Sequence, residues 1–231
     1  MITDFQCNTV YFSALLQKRA PVTYANLISA LDKHGVEHRL IPDTNDVWCR
    51  DYMPIQVAEG DFRGFTYDPD YLHETEEYLA SRTDGNEVCR EMGFEVKMPS
   101  RSLVIDGGNV IRCDDKVIMV EKVFSENPYP MAETAKAIEE HFNAELIVFP
   151  WNKPEYFGHA DGLVRYAGDG RVLQTDKVLL IPSFGCPEDE LAVEQIISYM
   201  PMYKDSVEMV PANDLIRHEG CLNCASWTVR V

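Results

Sequence analysis

The chain has 231 residues, 45% of them hydrophobic and 26% charged, which is enough apolar material to bury a sizeable core and too much for disorder. A formal net charge of −17 argues against nucleic acid and anionic membranes as partners, since both would repel the chain, and favours a small cationic substrate. No apolar run reaches the roughly 20 residues of a membrane span, and Met1–Gln6 lacks the basic flank and apolar stretch of a secretory leader, so the cytoplasm is the expected compartment.

The chain opens with a predicted strand over residues 7–14. A helix follows over 22–34, capped by Thr23, with Leu27, Ile28 and Leu31 as its apolar stripe and Gly35 as its stop. Residues 36–41 alternate as a strand, and a turn leads into residues 46–55. A helix is expected over 74–92, interrupted near Asp84-Gly85-Asn86, and then a strand over 94–98. The next unit comprises strands at 103–111 and 117–120 around an Asp114-Asp115 turn, a helix at 131–142 and a strand at 146–149. The last repeats this order: a strand from Gly158 to Tyr166, a hairpin at Gly168-Asp169-Gly170, strands at 172–175 and 178–181, a helix near 188–200 and a strand at 207–210.

Strand, strand, helix, strand recurs about every 45–60 residues, a period that points to an internally repeated architecture. Asp51, Asp106 and Asp161 are equally spaced along the chain, and Cys224 follows at a slightly longer interval. If each unit contributes its equivalent segment to a common axis, these positions meet in one central pocket. No linker rich in Pro, Gly or Ser divides the chain, so residues 1–231 read as one domain.

Seven cysteines are an odd number without framework spacing, so reduced thiols are expected. The lone C-x-x-C, Cys221 to Cys224, has no second pair to complete a zinc site, and no metal or cofactor is expected. In an extended segment His159 and Asp161 would share one face, bringing a titratable acid/base to an anion. Cys224 is nucleophilic only as a thiolate and needs a positive neighbour, either His159 or a cationic substrate. Several carboxylates around one thiol oppose its ionisation. A guanidinium would resolve the conflict, because it neutralises the carboxylates through paired hydrogen bonds and presents an electrophilic carbon to sulfur.

The motifs Trp48-x-Arg50-Asp51-x-x-Pro54, Asp106-Gly107-Gly108-Asn109, Gly158-His159-x-Asp161 and Asn223-Cys224-x-Ser226 resemble, in order and spacing, those of agmatine deiminase and Porphyromonas-type peptidylarginine deiminase. The resemblance covers about residues 45 to 231. It implies an α/β fold, the five-bladed propeller of ββαβ-like repeats called the pentein fold, with helices outside. It also implies a hydrolase acting on the guanidinium C–N bond of an arginine-like or agmatine-like molecule. In that reading Cys224 is the nucleophile, His159 the acid and then base, and Asp106 its orienting carboxylate. Asp51 and Asp161 grip the guanidinium, and Trp48 is part of the apolar wall. Asp51 beside Arg50 has a plainer reading as a structural ion pair, and Cys221 reads as a packing cysteine. His34, His38, His73, His141 and His218 show no partner pattern and read as surface or satisfied histidines.

Three departures bear on the substrate. Asp106 stands where the hydrolases commonly have glutamate and the related amidinotransferases have aspartate, so transfer of the amidino group to an amine is the alternative reaction. Asn223 replaces a histidine, and His218-Glu219-Gly220-Cys221 replaces a glycine-rich stretch. The chain is also shorter than typical agmatine deiminases. A non-catalytic pentein binding module is a third reading, disfavoured because a scaffold has no need of the Cys, His and two Asp together. Oligomeric state stays open, a homo-oligomer included.

Overall fold

β-Branched and aromatic residues make Thr9–Ser13 (β1) a fully buried strand. Leu16–Arg19 (α1) leads into Pro21–Lys33 (α2), where proline occupies the first turn and Leu27 and Leu31 face the core. The expected cap is displaced: Ala20 holds the N-cap position, while Thr23 is buried and its hydroxyl donates to the carbonyl of Pro211 at 2.9 Å. Gly35 ends the helix at φ +63°, and Glu37–Ile41 (β2) follows. Cys49–Tyr52 (α3) is a single buried turn before Ile55–Ala58 (β3) and Asp61–Arg63 (β4).

The predicted helix over 74–92 is indeed broken, into Glu76–Ser81 (α4) and Gly85–Glu91 (α5), because the Asp84 carboxylate caps the second piece through the amides of Asn86 and Glu87. Val96–Lys97 (β5), Ile111–Cys113 (β6), Lys116–Val120 (β7), Lys122–Glu126 (α6), Met131–Phe142 (α7) and Glu145–Phe149 (β8) come next. Leu173–Gln174 (β9), Leu179–Ser183 (β10), Glu188–Tyr199 (α8), Val207–Pro211 (β11) and Trp227–Val229 (β12) complete the chain. This computed structural model describes residues 1–151, 157–162 and 173–231. The predicted strand Leu163–Tyr166 and the Gly168–Gly170 hairpin lie outside the described residues.

The strands form four three-stranded sheets of one plan, β12-β1-β2, β3-β4-β5, β6-β7-β8 and β9-β10-β11. In each, an antiparallel pair is followed by a helical crossover to a parallel third strand. The repeated ββαβ order is therefore real, and its first unit borrows its opening strand from the C-terminus. Five blades were expected; the described residues contain four.

Neighbouring sheets share apolar clusters. Val10 and Phe12 of β1 pack with Leu180 and Val210, while Tyr11 and Trp227 pack with Phe62 of β4. Ile55 of β3 packs in turn with Val117 and Met119 of β7. The opening strands also meet through buried polar groups. The Arg112 guanidinium of β6 donates to the Thr228 hydroxyl at 2.8 Å, and the Gln56 amide of β3 exchanges two 2.8 Å hydrogen bonds with the Arg230 backbone. Mutual hydrogen bonds of this kind offset much of the cost of burying polar groups.

Candidate active site

Asp51, Asp106 and Cys224 each lie at a tight turn that precedes the opening strand of a unit. Asp51 is in α3 before β3, Asp106 caps the 3₁₀ turn Gly107–Asn109 before β6, and Cys224 lies in the turn over residues 222–225 before β12. Asp161 falls in the 3₁₀ turn Ala160–Gly162. Sequence reasoning placed Asp106 and the His159–Asp161 pair on extended strands; Asp106 keeps extended dihedrals but caps a 3₁₀ turn, and of the pair only Asp161 lies within one, His159 standing just before it. Glycine is the physical reason at Asp106. A Cβ at Gly107 would lie 2.1 Å from the Arg50 carbonyl oxygen, and one at Gly108 would lie 2.4 Å from His159 Nδ1, so the turn nests against the other two.

His159 Nε2 sits 2.9 Å from Asp106 Oδ2, and its Nδ1 lies 3.9 Å from Asp161 Oδ1. The first contact is a charge pair rather than an aligned hydrogen bond, since His159 Nε2 has no hydrogen-bond partner of good angle. Asp106 accepts two further bonds, from the Tyr71 hydroxyl at 2.6 Å and the Gly108 amide at 2.9 Å. Asp161 accepts from Asn223 Nδ2 at 2.7 Å, and Asn223 Oδ1 accepts from Arg50 at 2.8 Å. Arg50 is paired with Asp4 at 3.2 Å, and Asp4 also takes Arg112 and Thr228. Asp51 is different: its Oδ1 is buried and has no hydrogen-bond partner among the described residues.

Asp51, His159 and Cys224 line a cavity of about 110 Å³ with Trp48, Tyr67, Tyr71, Phe157 and Asp46. The cavity shares Asp46, Trp48, Tyr78, Ser81, His218 and Glu219 with an outer space of about 390 Å³ that Arg19, Glu77 and Arg217 also line. Trp48 is half-buried and stacks so closely on Gly220 that a Cβ there would lie 2.5 Å from its ring.

Charge is unevenly shared. Burial works against the His159 imidazolium, but Asp106, then Asp51 and Asp161, push its pKa up to about 10. Burial also opposes the Asp106 anion, yet His159, Tyr71 and Gly108 hold its carboxyl below the ordinary value. Asp51 is raised well above its ordinary value by burial and by Asp106, with only partial relief from His159. Burial, followed by Asp161 and Asp51, raises the Cys224 thiol in the same way. Asp51, Asp106 and His159 offer ligand atoms within 4.8 Å of one another, the one such cluster among the described residues.

No protein-family model and no curated protein matches the sequence. Solved structures do. C. jejuni agmatine deiminase aligns with 98% of this chain and 94% of its own at 13% identity, with a TM-score of 0.77. Agmatine deiminase of Enterococcus faecalis aligns with 99% of this chain and 94% of its own at 12% identity and TM-score 0.74. A dimethylarginine dimethylaminohydrolase aligns with 97% of this chain and 100% of its own at 14% identity and TM-score 0.66. These likenesses show the fold, an α/β arrangement of small mixed sheets that this chain shares with those agmatine deiminase and dimethylarginine dimethylaminohydrolase structures.

On this framework Asp51, Asp106, His159 and Asp161 are linked by direct contacts or shared charge; Asp51, His159, Cys224 and Trp48 line the cavity, whereas Asp106 and Asp161 stand behind it. The ion pair suggested between Arg50 and Asp51 is absent; Arg50 turns away to Asp4 and Asn223. Cys221 is buried in an apolar cluster, as a packing cysteine should be. His141 is a satisfied buried histidine, 2.8 Å from the Gly64 carbonyl. His218 is exposed, as a surface histidine should be, and it also lines the cavity. Tyr67, Tyr71 and Phe157 were missed. Their positions relative to the four motifs carry no spacing signal, and only the fold brings the Tyr71 hydroxyl to Asp106.

Proposed function

We propose that the protein is a cysteine-dependent hydrolase of a guanidinium C–N bond, acting on a small arginine-like or agmatine-like cation and releasing ammonia. The observation that carries this reading is the buried, unpartnered Asp51 Oδ1 on a cavity shared with Cys224 and His159. A buried acceptor without a donor is costly, and a planar cation with several N–H groups is what would satisfy it. The likeness to deiminase structures supports the reaction class.

In this mechanism the guanidinium settles between Asp51 and Asp161, and its charge offsets the two carboxylates that hold the Cys224 proton in place. The thiol then releases its proton to solvent. The thiolate attacks the guanidinium carbon, forming a C–S bond, and the tetrahedral adduct collapses by breaking one C–N bond. His159, held protonated by Asp106, gives its proton to the departing nitrogen, which leaves as ammonia. The neutral imidazole next removes a proton from water, the hydroxide adds to the S-alkylthiouronium carbon, and the C–S bond breaks as the adduct's hydroxyl proton passes to solvent, giving a neutral ureido product and regenerating the thiolate. Tyr71 and the Gly108 amide keep Asp106 ionised and aligned throughout, while Trp48, Tyr67 and Phe157 form the apolar wall.

Asp106, an aspartate as in the amidinotransferases, favours amidino transfer to an amine as the second reading. Ammonia release from a panel of guanidines, with and without an acceptor amine, tests both. Ammonia without acceptor supports hydrolysis; turnover only with acceptor supports transfer; no turnover with any guanidine refutes both.

A further inference from the structure

Lys122 is a buried cation that the proposed chemistry does not use. It opens α6, its side chain is 2% exposed, and its Nζ donates to the Phe157 carbonyl at 3.0 Å. The same ammonium pairs with Asp70 at 2.8 Å and lies 3.6 Å from Glu126. It also sits 5.2 Å from the Tyr71 ring centroid and 5.5 Å from that of Trp151, within cation–π range. Its stem supports Gly158, where a Cβ would come 2.4 Å from Lys122 Cδ and where φ is +68°. One side chain thus grips two segments, Phe157–His159 and Asp70–Tyr71.

Those segments supply both side-chain partners of Asp106: His159 at 2.9 Å and the Tyr71 hydroxyl at 2.6 Å. The Phe157 ring closes the arrangement, edge-on to Tyr71 at 5.1 Å and 5.6 Å from His159. We infer that Lys122 is a positioning residue for the proposed reaction, fixing from behind the two groups that align Asp106 and His159. The inference rests on the functional reading of His159 given above. Lys122 touches neither the cavity nor the reacting atoms; it acts through Phe157, Gly158 and Tyr71.

Lys122→Met keeps the unbranched stem and removes the ammonium. Glu126, whose carboxyl burial already pushes up to about 7, takes a proton in that variant, so no buried anion is stranded. Two measurements on the full chain decide. Steady-state kinetics should show kcat lowered about 10- to 100-fold with KM little changed, the scale of a misplaced catalytic group. NMR titration of the His159 imidazole should show its midpoint falling from about 10 as the Asp106 contact loosens. Glu126→Gln, which leaves Lys122 on Phe157 and Asp70, should stay near wild type in both. A lowered Tm with unchanged kcat and an unchanged His159 midpoint would reduce Lys122 to packing and overturn the inference. Should Lys122→Met fail to fold, Asp70→Asn at an exposed side chain removes one anchor of the ammonium; it should move the His159 midpoint in the same direction, and an unmoved midpoint overturns the inference. Because the titration needs no turnover, a protein inactive on all guanidines would sink the functional reading while the role of Lys122 is still decided.

Discussion

Two thiols three positions apart have opposite fates because of what surrounds them. Cys224 lines the cavity with Asp51 and feels the charge of both Asp51 and Asp161, whereas Cys221 packs in an apolar cluster. Cys224→Ala should abolish turnover without changing the circular dichroism spectrum, and Cys221→Ala should retain substantial activity; equal loss in both would contradict the assignment. The paired carboxylates make a sharper case. Asp51→Asn or Asp161→Asn removes one charge-assisted partner of a guanidinium, worth about 1.5–3 kcal/mol of binding. The same change relieves the Cys224 thiolate of a nearby anion, so its pKa should fall and iodoacetamide should alkylate it faster at neutral pH. Activity falls while thiol reactivity rises, and slower alkylation in both folded variants would refute this electrostatic account.

At the scale of the element, the tight turns before the opening strands do the positioning. The turn Gly107–Asn109 tolerates no side chain at its first two positions, since the Arg50 carbonyl and the His159 ring occupy the space. Gly108→Ala should therefore push the imidazole off Asp106 and cost about 100-fold in kcat, the usual scale for a group displaced by about an ångström. Crystallography of the variant would show the His159 ring displaced; a ring still at 2.9 Å from Asp106 would count against the account. The broken helix of residues 76–91 follows the same local logic. Asp84 caps the second piece, and a Cβ at Gly85 would lie 2.0 Å from the Tyr52 carbonyl oxygen. The break lets that segment pack directly on the strand-ward end of the Asp51 turn.

Over the whole molecule, β12 joins the end of the chain to its beginning and fastens two sheets together. Trp227 is buried among Tyr11, Phe62 and Phe94, and its Nε1–H donates to the Pro54 carbonyl at 2.8 Å. Trp227→Ala should cost about 3–5 kcal/mol in urea denaturation, through lost packing and an unsatisfied carbonyl. The buried His159–Asp106 pair ties stability to pH. His159 has a raised pKa in the folded state, so its contribution is complete below about pH 6.5 and is lost as the pH rises through about 10. Asp106 is depressed, so its contribution is present above the ordinary carboxylate pKa and lost below it. Calorimetry should find Tm falling between pH 6.5 and 10, and Asp106→Asn should flatten that slope; equal slopes in both proteins would exclude the pair as its source.

Much of this molecule was legible in the residues themselves. The recurring strand-strand-helix-strand order and the helices at Pro21–Lys33, Met131–Phe142 and Glu188–Tyr199 follow from periodicity and punctuation, which are local properties, and of the residues expected to meet in one pocket Asp51, His159 and Cys224 line one cavity. Other features were settled only by contacts between segments remote in the chain. Asp106 and His159 stand just before 3₁₀ turns rather than within strands, and glycines let the Asp106 turn nest against Arg50 and His159. Arg50 leaves Asp51 for Asp4 and Asn223, and Asp51, which lines the cavity, keeps an oxygen with no partner among the described residues. Tyr71 and Lys122 join the site from positions that no motif marks. Short-range pattern specifies which elements form, whereas buried charge and close packing are satisfied by whichever groups the folded chain brings together, and that is decided in three dimensions.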